Sequence, residues 1–169
     1  MESISVTFNR LPDLTFEGLC YAVGVYVLWA GKSIARPTYI GEGDIMDRLG
    51  KHRRRFPRPM DGYVAILGDG EARTTKRHGE VVEAVLLAIA ERVDRYPTRN
   101  KKGGKLRYLN RFFAAHATVK LVFDGYDPLL EPGVTCPMST RRTVRITRVG
   151  KYFRLQHQWR LRRLRLPPY

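Results

Sequence analysis

The stretch YAVGVYVLWA, residues 21–30, decides the fold of this chain. Its odd and even positions are both apolar, a pattern that predicts a strand buried on both faces. Turn-forming residues follow at 31–37, and TYIG at 38–41 then predicts the returning strand of a hairpin. We therefore expect the chain to be organised around this antiparallel pair of strands.

The next segments carry the patterns of a helix, a strand and a second helix. Asp44 is a favourable N-cap residue and precedes a helical pattern over about 45–52. Residues 62–68 are apolar and begin and end with glycine, which predicts a third strand. The clearest helix covers about 79–93, where apolar residues recur along a single face.

The later part of the chain continues this mixture. Residues 106–116 predict a further helix, and 118–123 predict a further strand. Alternating apolar and basic residues at 143–148 predict a strand that pairs with 152–155 through a turn at Gly150. The chain therefore combines helices and strands along most of its length.

The charge of the chain is strongly unbalanced. Its 169 residues include 31 Lys and Arg against 16 Asp and Glu, which gives a formal net charge of +15. Such an excess argues for an anionic partner, and nucleic acid is the first to consider. A membrane surface is the second, but the sequence has no apolar run of about 18 residues that could span a bilayer. We therefore expect nucleic acid rather than a membrane as the partner.

The cysteines and the first residues indicate a cytoplasmic protein. Cys20 and Cys136 lie far apart and match no metal-ligand spacing. The sequence MESIS at 1–5 has no basic segment followed by an apolar one, so it does not resemble a secretory signal. Reduced thiols in the cytoplasm fit both observations.

Two tyrosines of the hairpin are candidates for one functional site. Side chains alternate along a strand, so Tyr26 shares a face with Gly24, and Tyr39 shares a face with Gly41. If the numbers of opposed residues add to an odd value, both phenols project to one side of the sheet; an even value separates them. The two glycines would keep the surface beside the phenols low, so that a phosphodiester backbone could approach.

Three charged residues complete the candidate constellation. Arg48 and His52 are four positions apart and therefore lie on one face of a helix. A guanidinium group there could bind a phosphate through two hydrogen bonds. Glu83 lies at the edge of the apolar face of the helix over 79–93, which makes its carboxylate a candidate ligand for a hard cation such as Mg²⁺.

The order and spacing of these residues resemble those of the GIY-YIG nucleases. The matching residues are GVY at 24–26, YIG at 39–41, RLGKH at 48–52, EAVLL at 83–87 and Asn100. Each short motif is unspecific alone, but their occurrence together in this order is a more specific signal.

The resemblance implies an α/β (α+β) fold with a small central three-stranded antiparallel sheet flanked by helices. We expect this nuclease core at 21–125, after an N-terminal extension at 1–20. Residues 126–169 are expected to form a basic C-terminal β/helical extension that packs on the core and contacts DNA.

The resemblance also implies hydrolysis of phosphodiester bonds, usually in DNA, with one divalent metal ion per site. Glu83 would be the ligand of this Mg²⁺ (or Mn²⁺) ion. Tyr26 would be the general base or the phenol that orients the nucleophile, and Tyr39 would support it. A phenol has an unperturbed pKa of about 10, so it needs nearby positive charge to act as a base near neutral pH.

Three further residues have implied roles. Arg48 would hold the scissile phosphate, His52 would relay a proton, and Asn100 would be a structural residue beside the site. The chain departs from the family in having one residue fewer before Arg48. It also lacks the lysine that the family often has near the hairpin; Lys32 is the nearest loop lysine and a candidate for lowering the pKa of Tyr26.

Basic residues in several segments are expected to fix the position of DNA through its phosphates. They are Lys51, Arg53, Arg54, Arg55, Arg99, Lys101, Lys102, Arg141, Arg142, Arg160, Arg162 and Arg163. Aromatic residues interleaved with the arginines near the C-terminal end favour a nucleic-acid-binding surface over a merely solvated face.

The main hypothesis is therefore a divalent-metal-dependent endonuclease that acts on DNA. Two alternatives stay open: a nuclease that cleaves RNA, and a non-catalytic nucleic-acid-binding module on a nuclease-like fold. Cleavage of both strands of a duplex would need two sites, and hence a homodimer or two encounters.

Overall fold

The computed structural model describes residues 1–31, 35–69, 73–101, 106, 109–133 and 141–159. In chain order the strands are β1 (Glu2–Arg10), β2 (Ala22–Ala30), β3 (Tyr39–Asp44), β4 (Met60–Asp69), β5 (Thr118–Gly125), β6 (Arg142–Val149) and β7 (Tyr152–His157). The helices are α1 (Phe16–Leu19), α2 (Ile45–Arg55) and α3 (Arg73–Arg92), and short 3-10 turns occur at Leu11–Asp13 and Leu109–Arg111.

All seven strands of the described residues belong to one mixed sheet. Their order is β3-β2-β4-β1-β5-β6-β7, and the sheet curls into a half-barrel. Only β1 and β5 run parallel to each other; the other neighbouring pairs are antiparallel. With three helices in the described residues, the fold is α+β.

The expected small three-stranded sheet is therefore wrong. β2, β3 and β4 are neighbours, but they are three of seven strands, because β1 and the strands after α3 continue the same sheet. β1 pairs with β5 from Glu2 opposite Val119 to Phe8 opposite Gly125. Each of the three segments expected from the sequence thus contributes strands to a single sheet.

The alternating sequence of β1 explains its central place in the sheet. Ile4, Val6 and Phe8 are buried, whereas the residues between them are exposed. This alternation is typical of a strand with one face against the core. Phe8 stacks on Phe123 of β5 with the ring centroids 6.4 Å apart, so the two strands share one apolar core.

Strand β2 is buried on both faces, as its unbroken apolar sequence predicts. Val25 and Val27 lie in the larger apolar core, to which α3 contributes most of its apolar residues. Tyr26 and Leu28 belong to a second cluster on the opposite face, together with Ile45 of α2. The two longer helices therefore cover opposite faces of the sheet at β2.

The N-cap predicted for the helix after the hairpin is confirmed. The carboxylate of Asp44 accepts a hydrogen bond from the backbone N–H of Asp47 at 2.8 Å, and α2 then runs to Arg55. The helix is three residues longer than expected, since the basic residues at its end are compatible with the helix C-terminus. α3 begins at Arg73, before the expected start.

In the described part of the helix predicted over 106–116, residue 106 is helical, but the prediction is wrong from 109 onward. Leu109–Arg111 forms a 3-10 turn, and residues 112–117 are not helical. The aromatic ring of Phe113 packs edge-on against Phe153 of β7 at 5.2 Å, so tertiary packing overrides the helical pattern here. In the described part of the chain, no helix combines the length and apolar character needed to cross a membrane.

Candidate active site

The register of the first hairpin places both candidate tyrosines on one side of the sheet. Tyr26 lies opposite Gly41, and Leu28 lies opposite Tyr39, so opposed residue numbers add to an odd value. The rings of Tyr26 and Tyr39 are 6.2 Å apart and nearly parallel, at an interplanar angle of 22°. The hairpin therefore brings the two phenols together, as the odd register requires.

Gly41 makes room for this pair of rings. A Cβ atom built at Gly41 would lie 2.5 Å from Oη of Tyr26 and 2.6 Å from Cε1 of Tyr39. Both atoms belong to rigid rings, and Tyr26 is only 1% exposed, so neither ring has free space to move into. The glycine is thus a packing requirement of the tyrosine pair.

We expect Gly41→Ala to lower the free energy of unfolding by about 1–3 kcal/mol, the usual cost of overpacking a core. Urea unfolding followed by circular dichroism measures the change. Gly50→Ala is the matched control, since a Cβ there would meet nothing within 4 Å. Because alanine is the better helix former, this control should gain about 0.5–1 kcal/mol. Equal stability of the two variants would contradict the packing role of Gly41.

His52, near the end of α2, contacts both tyrosines. Its Nε2 atom lies 3.2 Å from the phenol oxygen of Tyr26, and its ring centroid lies 4.7 Å from that of Tyr39. On its other side the imidazole stacks on Phe56 at 4.8 Å. The second ring nitrogen, Nδ1, is buried and has no hydrogen-bond partner among the described residues. If Nδ1 carries the proton, Nε2 accepts the hydrogen bond from the phenol.

Burial and charge determine the protonation states of this pair. Burial lowers the pKa of His52, and the cations Arg48 and Arg55 lower it further. Burial also raises the pKa of Tyr26 strongly, with a contribution from Tyr39, while Arg48 opposes this rise. Near neutral pH the imidazole is therefore neutral and the phenol keeps its proton. At this contact a protonated phenol therefore faces a neutral imidazole.

Arg48 extends over the edge strand at a second glycine. Gly43 has φ +129°, and a Cβ atom there would lie 3.1 Å from Nε of Arg48. The guanidinium group acts electrostatically on Tyr26, on His52 and on Glu42. The side chain is exposed, so the guanidinium group is also accessible to a ligand.

Two carboxylates approach the same place from α3 and β3. Glu83 of α3 is only 7% exposed, and its charge raises the pKa values of Tyr26 and Glu42. Glu42 lies against the helix at Gly79, where a Cβ atom would be 3.4 Å from its Oε2. Burial raises the pKa of Glu42, and the charges of Glu83 and Glu80 raise it further. An acidic pair, with Glu83 buried and Glu42 half-buried, therefore lies at the β3 edge.

Successive residues of β3 connect the two faces of the sheet. Gly41 faces the phenols on the α2 side, whereas Glu42 contacts α3 on the other side. Sequence reasoning missed Glu42 as a site residue. Its position directly after the Tyr-Ile-Gly motif could have identified it. Side chains alternate along a strand, so Glu42 points to the face opposite Gly41, toward the helix that carries Glu83.

The acidic pair suits one hard cation with few protein ligands. Among the described residues, no group of three or more His, Cys, Asp or Glu side chains is placed to hold a metal ion. Mg²⁺ typically binds through one or two carboxylates and completes its shell with waters and substrate phosphates. The oxygen donors of Glu42 and Glu83 fit that requirement.

Asn100 has a structural contact at the hairpin. Its Oδ1 accepts a hydrogen bond from the backbone N–H of Ile40 at 2.9 Å, and its Nδ2 donates to the Ile40 carbonyl at 2.8 Å. The N–H of Arg99 also donates to the carbonyl of Thr38 at 2.9 Å. These bonds satisfy backbone groups on the outer edge of β3, next to Tyr39.

Gly24 has a different role from Gly41. A Cβ atom at Gly24 would lie 2.0 Å from the carbonyl oxygen of Ala65, where the pairing of β2 with β4 is irregular. The residue therefore allows two backbones to approach closely. It does not contact the tyrosine rings.

The basic residues predicted to contact DNA have different surroundings. Lys51 pairs with Asp47 at 2.6 Å, and Arg141 pairs with Asp124 at 2.9 Å. Five of the predicted DNA contacts are exposed and form no side-chain ion pair with other described residues: Arg53, Arg54, Arg55, Arg99 and Lys101. The predicted site residues that lie outside the described residues are Lys32, Lys102, Arg160, Arg162 and Arg163.

Arg142 has the contacts of a structural residue. It donates to the buried carboxylate of Asp127 at 2.6 Å, and its guanidinium carbon lies 4.7 Å from the centre of the Trp159 ring. Burial raises the pKa of Asp127, and Arg142 opposes that rise. The arginine thus compensates a carboxylate that is only 2% exposed.

No family model matches the chain, and no match is found among curated proteins or solved structures. The resemblance to the GIY-YIG nucleases therefore rests on the motif residues, and function has to be argued from their arrangement.

Proposed function

We propose that this protein is a divalent-metal-dependent endonuclease of the GIY-YIG type that hydrolyses phosphodiester bonds in DNA. The observation that carries the proposal is the 3.2 Å contact between the Tyr26 phenol and the His52 imidazole, beside Arg48. With Glu42 and Glu83, this arrangement offers a proton acceptor, a phosphate ligand and metal ligands. Phosphodiester hydrolysis needs these three components.

Tyr26 and His52 together would activate the attacking water. The phenol oxygen takes a proton from the water while the phenol's own proton passes to Nε2 of His52. The resulting hydroxide attacks phosphorus, and the bond to the leaving oxygen breaks. The transfer requires the neutral imidazole as acceptor, because a phenol with a raised pKa does not ionise by itself near neutral pH.

Arg48 would bind the scissile phosphate. Its guanidinium group is exposed and lies over Gly43, on the strand that carries Tyr39. A planar fork of N–H donors matches two phosphate oxygens. It would stabilise the negative charge that increases on the phosphate in the transition state.

Glu83 and Glu42 would hold the metal ion. The charge of Glu83 raises the pKa values of Glu42 and Tyr26, and Arg48 opposes both rises. A bound Mg²⁺ ion supplies positive charge near the reacting phosphate. It would also offset the mutual repulsion of the two carboxylates.

The end of α2 favours a nucleic acid as the substrate. Arg53, Arg54 and Arg55 are exposed in the last turn, directly after His52. Such a cluster beside the site could contact phosphates on either side of the scissile bond. The net charge of +15 provides a long-range attraction to the same polyanion.

Incubating supercoiled plasmid and a structured RNA with the protein tests the proposal. We expect nicked and linear plasmid in the presence of Mg²⁺ or Mn²⁺ and intact plasmid in EDTA, since the mechanism requires the ion. Cleavage of the RNA alone would establish the RNA-cleaving alternative. Tight binding without cleavage of either substrate would refute the enzyme and leave a nucleic-acid-binding module.

A further inference from the structure

One face of the sheet is largely polar across β1, β5, β6 and β7, and its side chains are exposed on β1 and β7, mostly exposed on β6 and half-buried on β5. The alternation of each strand buries one set of side chains, such as Leu121 and Val144, and leaves the other set outside. The outward residues are Ser3, Ser5, Thr7 and Asn9 on β1, Thr118, Lys120, Val122 and Asp124 on β5, Thr143, Arg145, Thr147 and Val149 on β6, and Tyr152, Arg154 and Gln156 on β7. We call these residues the open face.

The strand register arranges the open face in cross-strand rows. Ser3 lies opposite Lys120, Lys120 opposite Arg145, and Arg145 opposite Gln156. In the neighbouring row the hydroxyl groups of Thr118 and Thr147 lie 2.9 Å apart, and Arg154 follows Thr147. The two rows together place cations and hydroxyl groups side by side over four strands, about 15 Å across at the usual strand spacing.

The positive charge of this face is not neutralised within the described residues. Lys120 and Arg145 are directly opposed, which places two like charges side by side, and neither is in an ion pair there. Asp124 is the face's one acidic residue in the described chain, and it pairs with Arg141. Directly opposed like charges destabilise a sheet. An anion bound across the two strands would remove that repulsion.

The open face lies on the same side of the sheet as the tyrosine pair. Tyr26 is opposite Val64 of β4, and Val64 is opposite Asn9 of β1. Opposed residues project to the same side, so this row leads from the candidate active site to the first strand of the open face. Tyr26 and Val64 are buried in the second apolar cluster, so the open face and the tyrosine pair share one side of the sheet but are separated along this row by buried residues.

We propose that the open face binds the sugar-phosphate backbone of a nucleic acid duplex. Lys120, Arg145 and Arg154 would contact phosphates, and the hydroxyl groups beside them would donate further hydrogen bonds. Tyr152 is the face's one aromatic residue in the described chain, whereas proteins that bind single strands stack successive bases on several aromatic rings. The face therefore fits a duplex backbone rather than unpaired bases.

The salt dependence of duplex binding tests this inference. The triple variant Lys120→Gln/Arg145→Gln/Arg154→Gln should reduce the slope of log Kd against log salt by about 2.7, or about 0.9 for each phosphate that is no longer neutralised. It should weaken binding to two duplexes of unrelated sequence by the same factor, because interactions with phosphates carry no sequence information. Fluorescence anisotropy in EDTA measures both quantities without cleavage.

A matched triple variant controls for net charge. Arg36, Arg92 and Arg95 lie near the C-terminal end of α3, where Arg36 pairs with Asp94. Replacing these three arginines with glutamine removes the same charge, but it should change the slope much less. A wild-type slope in the open-face variant, or the same change in both triple variants, would overturn the proposal.

Two further measurements check that the open-face variant is folded and that the effect does not depend on the Lys120–Arg145 pair alone. The open-face variant should unfold at an equal or higher temperature than wild type at low salt, since Lys120 and Arg145 no longer repel. The single variant Arg154→Gln should reduce the slope by about 0.9 and checks the same face independently of that pair. If the triple variant instead loses binding to phosphatidylserine vesicles while its DNA slope is unchanged, the partner is a membrane and the proposal fails.

The inference rests on the proposed function only for the identity of its ligand, and the two can fail separately. Binding through the open face without any cleavage in Mg²⁺ would support the face and refute the nuclease. Cleavage by wild type, together with a wild-type slope in the triple variant, would support the nuclease and refute the face.

Discussion

Glu83→Gln is expected to reduce plasmid cleavage by about 10³-fold or more while leaving DNA binding in EDTA nearly unchanged. The carboxylate is the most buried acidic group at the candidate site, at 7% exposure, so its loss removes a metal ligand that surface carboxylates cannot replace. A bound metal ion contributes several kcal/mol to transition-state stabilisation, and about 4 kcal/mol corresponds to that factor. Single-turnover cleavage in Mg²⁺ measures the effect.

Glu91→Gln is the matched control for Glu83→Gln. Glu91 lies two turns farther along α3 and is exposed, so the same chemical change there should leave cleavage within about twofold of wild type, as for a surface substitution. Titration with Mn²⁺, followed by electron paramagnetic resonance, should show weaker binding for Glu83→Gln alone. Unchanged Mn²⁺ binding in that variant would remove Glu83 from the proposed metal site.

Tyr26→Phe is expected to reduce the cleavage rate by about 10²–10⁴-fold, the usual contribution of a positioned acid or base. The substitution keeps the ring that packs against Tyr39 and removes only the oxygen that contacts His52. Because that oxygen receives the water's proton in the proposed mechanism, no neighbouring group replaces it. Substrate binding should change little, so the loss appears in the rate at saturating DNA.

Tyr63→Phe separates chemistry from stability in this comparison. Tyr63 is also fully buried in the sheet, and its phenol donates to the Leu130 carbonyl at 3.0 Å rather than to His52. Both variants lose a buried phenol hydrogen bond, which costs about 1–3 kcal/mol when the acceptor is left unsatisfied. Only Tyr26→Phe should lose activity. Equal losses of activity would show that the effect is structural.

The pH profile of wild-type cleavage gives a further test of the Tyr26–His52 pair. His52 must be neutral to accept a proton, so activity should fall as the pH decreases through the pKa of its imidazole. Burial and the cations Arg48 and Arg55 lower that pKa, which places the acidic limb below the ordinary histidine value of about 6.5. A limb above that value would contradict the assignment.

Local sequence signals predicted the hairpin and its surroundings. The unbroken apolar run of β2 and the N-cap Asp44 depend on residues close in sequence, whereas the sequence left the odd or even register of the hairpin open. The seven-stranded sheet could not be predicted in this way, because β1 pairs in parallel with β5, more than 100 residues away. Parallel strands are not joined by a tight turn, so no local turn signal predicts the pairing of β1 with β5.

The candidate site was predictable to the extent that its motifs are local. Tyr26, Tyr39 and His52 are brought into contact by one hairpin and the helix that follows it. Glu42 was missed because its relation to Glu83 depends on how α3 crosses β3. Arg142 was predicted to contact DNA but instead pairs with the buried carboxylate of Asp127. A count of basic residues cannot distinguish such an arginine from an exposed one.

The parallel pairing of β1 with β5 also has a consequence for the order of folding. During synthesis β1 emerges from the ribosome early, but its main partner, Thr118–Gly125, is made only after the hairpin and α3. Until then the apolar side of β1 has no complete core to cover it. The nascent chain therefore carries an unpaired strand edge until β5 has been made, and closing the sheet at β1 is expected to be a late and slow step.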